Sequence, residues 1–311
     1  MPHPSIPIAP SPAARRICAA LTLSAVPLAL GGQTREVSRY GVGSPEGRLL
    51  AFYSAAVAFS PAGAPPADRR AGVVDAGLEL SYIPRLSSAQ RMAGFDKPEA
   101  TNLAPVVPRP RASVSLGRGA ALEAAWLPPI RVFGVRAQLA SAALTAPLFA
   151  SRALRVSGRA AVTAGRVRGP ITCNASLARH PSRDLRLYFA SVCYGRASDD
   201  HFEPRQLGAE LLARRVAAWR GVLPYAGAGL RAQHTRFDIG VIRPDGTRDP
   251  DEPILELRGV RGYGFAGASR PLARWANLGG EVYYEPGSLL TVRILAGLRV
   301  RRDSGASAGA P

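Results

Sequence analysis

The stretch Ser288-Leu-Leu-Thr-Val-Arg-Ile-Leu-Ala-Gly-Leu-Arg-Val-Arg301 sets the pattern by which the rest of the chain is read. Leu290, Val292, Ile294, Ala296, Leu298 and Val300 fall on one side of an extended backbone. Thr291, Arg293, Gly297, Arg299 and Arg301 fall on the other, and only Leu295 breaks the alternation. A helix, turning 100° per residue, would scatter both sets around its circumference, so period two means strand. The pattern recurs upstream. Val74, Ala76, Leu78, Leu80 and Tyr82 oppose Asp75, Gly77, Glu79 and Ser81. Leu154, Val156, Ala160 and Val162 oppose Arg155, Ser157, Arg159 and Thr163, and Ala226, Ala228, Leu230 and Ala232 oppose Gly227, Gly229, Arg231 and Gln233. Residues 132–140 set Phe133, Val135, Ala137 and Leu139 against Gly134, Arg136 and Gln138.

Composition narrows the classes. With 311 residues and 47% hydrophobic content, the chain is long and apolar enough for a real core or a closed barrel, which excludes disorder of the whole. The 32 Gly and 28 Pro argue against a mainly helical fold. No apolar run reaches the roughly 20 residues of a membrane-spanning helix. Forty basic residues against 22 acidic give a net charge of +18, which invites a nucleic-acid reading. Nucleic-acid binders, however, cluster their charge, whereas here arginine is spread along the whole chain and Lys97 is the one lysine. No nucleic-acid partner is expected.

The N-terminus has the layout of an export signal. Arg15-Arg16 precede the 14-residue apolar stretch Ile17–Leu30, and the small residues Gly31 and Gly32 follow, so residues 1–32 are expected to be a cleavable signal peptide. The competing reading is a buried helix. Neither twin-arginine export nor a lipid anchor on Cys18 suits the flanking residues. Loss of the leader leaves Cys173 and Cys193, most simply a disulfide in an oxidising compartment, otherwise two thiols. Neither metal nor cofactor binding is expected, since the cysteines and His180, His201 and His234 lack ligand spacing.

Alternating strands also build soluble sandwiches, so the choice rests on other features. The polar faces carry Arg, Glu, Gln and Gly, while the opposite faces are Ala, Leu, Val and Ile. Aromatics (Tyr82, Trp126, Tyr225, Trp275, Tyr283, Tyr284) lie near strand ends, as interfacial girdles do. Short connections alternate with long ones at 85–110, 167–205 and 243–253. The expected architecture is all-β: an antiparallel transmembrane barrel over 70–301 of about ten strands, within a range of 8–12. It is preceded by a segment 33–69 that holds an extra strand or helix, and followed by a tail 302–311. Residues 47–60 suit a helical face as well as a strand, and with 186–194 as strands the barrel would grow to twelve.

With its leader at 1–32, the segment Pro224-Tyr-Ala-Gly-Ala-Gly-Leu230 opening an alternating strand and the final strand 288–301, the chain resembles bacterial outer-membrane β-barrel proteins. The resemblance covers residues 70–301 and is architectural, reaching no functional family. It implies the outer membrane of a Gram-negative-type bacterium, with membrane lipid and the barrel-insertion machinery as partners. Such proteins typically end in an aromatic residue; the tail Asp303–Pro311 has none.

Charge on a lipid-facing wall costs a few kcal/mol at the bilayer midplane, roughly 2–4, so the strand arginines are expected to point inward. Arg136, Arg155, Arg159, Arg231, Arg293 and Arg299 are the basic candidates for the lumen; Asp75, Glu79, Glu123, Glu210 and Glu281 are the acidic ones. Either they line a channel for a small anionic solute or they pair in a filled interior, and barrels of this size are filled by their own side chains. Segment 85–110, with Pro98, Pro105, Pro108 and Pro110, reads as an extended external or plugging loop. The acidic clusters at 199–203 and 245–252 match no regular Ca²⁺ loop and read as solvated. The favoured function is a barrel of structural, binding or narrow-pore type, without catalysis. The alternatives are an outer-membrane lipid hydrolase or acyltransferase using His201 or His234 at the rim, and a secreted soluble β-protein that binds an acidic partner.

Overall fold

The computed structural model describes residues 35–301, except 59–60, 65–68, 92–98, 100, 102, 133, 176–177, 179–192, 194–195 and 244. The expected leader and tail lie outside the described residues. In chain order the elements are β1 (Val37–Tyr40), α1 (Pro45–Ala56), β2 (Val74–Tyr82), α2 (Ser88–Arg91), β3 (Val106–Gly117), β4 (Ala120–Leu127), β5 (Arg131–Val132), β6 (Val135–Ala150), β7 (Leu154–Gly169), β8 (Asp200–Arg215), β9 (Leu223–Asp238), β10 (Ile254–Ala273), β11 (Ala276–Glu285) and β12 (Leu289–Arg301).

Ten of the described strands close a cylinder. Each of β2, β3, β4, β6, β7, β8, β9, β10, β11 and β12 pairs antiparallel with the next, and β12 returns to β2 through Arg293–Ser81 to Arg299–Asp75. Closure gives each of these strands a neighbour on both sides, the condition for strands to cross a membrane. The tiny β5 pairs only with the start of β6, and β1 runs parallel to β10 through Val37–Ile254.

The two ends differ. At one, hairpins turn in a few residues: Arg118-Gly119, 151–153, 216–222 and 274–275. In the first of these, Gly117, Arg118 and Gly119 all take left-handed φ, the backbone a two-residue hairpin needs. At the other end lie the longer connections 83–105, 170–199 and 239–253. Outward residues between the ends are aliphatic and exposed, among them Leu80, Leu144, Leu230, Val260 and Ile294. Exposed aromatics bracket this band, with Tyr82, Trp126 and Tyr284 towards the loop side and Phe149, Trp219 and Trp275 at the turn side. An apolar wall between two aromatic girdles is what hydrocarbon requires and water penalises. The chain is therefore an antiparallel transmembrane barrel of the bacterial outer-membrane type, and the soluble reading fails on its greasy exterior.

One sequence expectation changes and one open alternative is resolved. Residues 106–110 belong to β3 rather than to a loop, with Arg109 and Arg111 pointing inward. Within 47–60, the segment that suited strand or helix, Pro45–Ala56 is the helix α1, enclosed by the wall. Ser44 caps it by accepting from the Gly47 amide at 3.0 Å, and Pro45 occupies its first turn. Leu50 to Ala56 are all buried, so the helix is apolar nearly all round, as an enclosed helix should be.

Candidate functional site: the stoppered lumen

The lumen is filled in three layers. Nearest the loops, α1 sits among inward side chains from many strands. Tyr53 meets Phe202 edge-on with ring centroids 6.0 Å apart, and Phe202 meets Phe237 at 6.2 Å. Val135, Leu139, Val167, Leu257 and Leu289 complete this apolar collar. Below it, Ser54 Oγ lies 2.8 Å from Thr235 Oγ1, and Gln206 Nε2 donates to Ser54 O at 2.6 Å.

In the middle layer the chain after α1 crosses the lumen as a strap held by arginines. Arg109 donates to Ala58 O at 3.1 Å, Arg159 to Pro61 O at 2.6 Å and Arg111 to Ala62 O at 2.8 Å. The Gly63 amide donates to Glu281 Oε2 at 3.4 Å. Each arginine is also paired with the wall. Arg109 and Arg111 lie 3.5 and 3.3 Å from Glu79, Arg111 is 2.5 Å from Glu123, and Arg159 is 3.9 Å from Glu210. Arg293 lies 3.5 Å from Glu281 and stacks over Tyr283 at 4.2 Å, while Arg231 pairs with Glu285 and donates to Tyr283 Oη at 3.1 Å. Backbone crossing the lumen would strand its carbonyls, and these guanidinium groups satisfy them. Glycines on β9 and β10 make the room: a Cβ on Gly227 would lie 2.4 Å from the Phe265 ring, and one on Gly267 2.5 Å from Tyr225 Oη.

Towards the turns the lumen opens into a vestibule of about 230 Å³ lined by Gly63, Arg69, Asp75, Arg111, Glu123 and Arg214. It ends on the strap. Asp75 is held there by Arg69 and by Arg299 Nε at 3.7 Å.

The structure thus places Arg155, Arg159, Arg231, Arg293 and Arg299, with Asp75, Glu79, Glu123, Glu210 and Glu281, on the inner face. Arg136 is a correction. It is exposed and points outward, while its neighbours Val135 and Leu139 are buried against the collar. β6 runs past the loop-side girdle, and there polarity inverts: the inner side meets apolar α1 and the outer side meets water. Arg109, Arg111, Arg261 and Glu285 also belong to the interior network and escaped the sequence reading. The alternation Arg109-x-Arg111-x-Ser113-x-Ser115 was the available signal, masked by Pro108 and Pro110.

On the loop side Cys173 and Cys193 form a disulfide packed on Val241. Asp200 ties the connections 170–199 and 239–253 together by accepting from Thr172 N at 2.5 Å, Gly240 N at 2.7 Å and Ser198 Oγ at 2.7 Å. The acidic clusters are engaged by arginine. Arg168 donates to both oxygens of Asp199, at 2.8 and 2.5 Å, and these bonds hold its carboxyl below the ordinary range. Arg243 bridges Asp249 and Asp251 at 2.8 and 3.0 Å. Desolvation alone would push Asp249 up, but the Asp251 amide and Arg243 bring it below its usual value. Among the described residues no group of three His, Cys, Asp or Glu side chains could hold a metal. His201 and His234 point outward at the rim, and Nε2 of each has no hydrogen-bond partner among the described residues.

No family model matches the chain, and no curated protein matches it. Among solved structures it is similar to the toluene transporter TodX of Pseudomonas putida, at 11% identity over 87% of this chain and 78% of that one, with a TM-score of 0.31. It is similar to the attachment invasion locus protein Ail of Yersinia pestis at 7% identity over 74% and 99%, TM-score 0.28. It is likewise similar to the translocator domain of the autotransporter NalP from Neisseria meningitidis at 12% identity over 81% and 93%, TM-score 0.31. The class assignment rests on the closed register and the apolar wall, and places the protein in the outer membrane.

Proposed function

We propose that this protein is a closed outer-membrane barrel of structural or binding type, neither an open pore nor an enzyme. The observation that carries the reading is the strap: three buried arginines from three inward-facing strand positions each hold one of its carbonyls. A small anionic solute entering from the turn side meets a vestibule of mixed charge that ends on this strap. Membrane lipid and the insertion machinery are its partners in this reading. Planar-bilayer recording tests it. The intact protein should insert without steady conductance, and a variant lacking residues 45–63 should conduct. A stable ohmic current from the intact protein would overturn the proposal.

A further inference from the structure

The wall is incompletely laced between β3 and β4. β3 pairs with β2 from Val74–Val114 as far as Tyr82–Val106, but with β4 only from Arg111–Ala125 onward. Among the described residues, Val106–Pro110 have no strand partner on that second edge. The cause is Pro108-Arg109-Pro110. Residues two apart in a strand send their N–H towards the same edge, and proline has none to send. Since the edge towards β2 stays paired, the missing donors fall on the edge facing β4 and β5.

The gap is a cleft of about 220 Å³, bordered by Leu78, Val106, Pro108, Ile130 and Val132, with Val57 at the end of α1 on its inner side. That is larger than the roughly 150 Å³ apolar cavity that admits benzene in a protein core. Arg109 borders it too, but is committed to Glu79 and the strap. Leu78, Val106 and Ile130 are exposed on the outer wall, so the cleft opens towards hydrocarbon, and an alkyl chain there would supply the dispersion contacts its lining lacks.

Beside this mouth stands a row of like charge. Arg131 lies directly opposite Arg136 across β5 and β6, and Arg136 directly opposite Arg168 across β6 and β7. Side chains so placed are about 5 Å apart at Cβ, and like charges there repel. Asp199 neutralises Arg168. Arg131 and Arg136 are exposed, with no carboxylate partner among the described residues. A phosphate between two planar guanidinium groups would relieve that repulsion with bidentate hydrogen bonds.

We infer that this face binds one anionic phospholipid, its phosphate on Arg131 and Arg136 and one acyl chain in the cleft between β3 and β5. The site lies on the outer wall, so it is independent of whether the lumen conducts. Native mass spectrometry of the purified full chain, offered dioleoylphosphatidylglycerol or dioleoylphosphatidylcholine, reads it. The protein should retain one phosphatidylglycerol with about tenfold preference. The double variant Arg131→Gln/Arg136→Gln should lose the preference, and Ile130→Asp, which puts a carboxylate at the exposed mouth, should lose the lipid. Arg258→Gln, an exposed arginine on β10, should change neither, and heat-modifiable gel migration should show all variants folded. Equal retention of the two lipids, an Arg258→Gln loss as large as the double variant's, or full displacement by inorganic phosphate would each overturn the inference; the last would mark an anion site without a chain.

Discussion

Arg111→Met removes a buried guanidinium that serves three groups: Glu79 at 3.3 Å, Glu123 at 2.5 Å and the strap carbonyl of Ala62 at 2.8 Å. Glu79 keeps Arg109 and the Ser81 hydroxyl, but Glu123, 8% exposed, loses the one arginine that the described contacts give it. Breaking a buried pair from one side leaves an uncompensated charge and costs about 3–5 kcal/mol. The orphaned carboxylate dominates that figure, so adding Glu123→Gln should return at least about 1.5 kcal/mol of it. Arg166→Met is the comparison. Its pair with Glu203 is just as short at 2.6 Å, but the arginine is 61% exposed, and the loss should stay under about 1 kcal/mol. Equilibrium urea unfolding from lipid vesicles, followed by tryptophan emission and heat-modifiable migration, gives the values for Arg111→Met, Glu123→Gln, the double variant and Arg166→Met. If Arg111→Met cost no more than Arg166→Met, or if the double variant were additive, the interior ladder would not be a dry, coupled network.

Other consequences follow from particular contacts. Gly227→Ala drives a methyl group to 2.4 Å from the Phe265 ring and 2.6 Å from the Leu211 carbonyl, and should cost about 1–3 kcal/mol in the same unfolding assay. The Asp199 carboxyl is held below its ordinary value by Arg168, so its stabilising effect is complete above the unfolded value near 3.8 and disappears as pH falls through the lower folded one. Limited proteolysis of the connection 170–199 should therefore be flat from neutral pH down to about pH 4 and rise below it, and Asp199→Asn should lose the Asp199 share of that rise while leaving the share of Asp249 in 239–253. The chain passes from β1 on the loop side through the lumen to β2 on the turn side, and long loops face outward in such barrels. A membrane-impermeant maleimide should then label Glu36→Cys on intact cells, and Ser151→Cys only after the outer membrane is opened.

Strand pattern and closure were legible wherever the two faces differ in chemistry along the whole strand. In β2, β7, β9 and β12 the inward positions carry mostly charged or polar side chains or glycine and the outward ones mostly aliphatic groups, and each reads in the right phase. β6 reads in the wrong phase because its loop-side end lies beyond the membrane, where Val135 and Leu139 pack on α1 and Arg136 meets water. The same inversion sets Phe202 inward beside outward His201, and Phe237 inward beside outward Arg236. Parity carried along from Leu144 and Leu148 would have corrected it, since the side-chain period does not change where polarity does. The strap was illegible for a different reason. Its carbonyls are bound by Arg109, Arg111 and Arg159, far away in sequence, and nothing local in residues 57–63 announces them.

Nitroxide scanning of β12 in lipid vesicles probes most directly which way the wall faces. Labels at Leu290, Val292, Ile294, Ala296 and Leu298 should collide freely with oxygen dissolved in the bilayer, while labels at Thr291, Arg293 and Gly297 should be shielded, alternating without a break. Flat accessibility along the strand, or a maximum at the arginine positions, would contradict a closed cylinder with its charges inside.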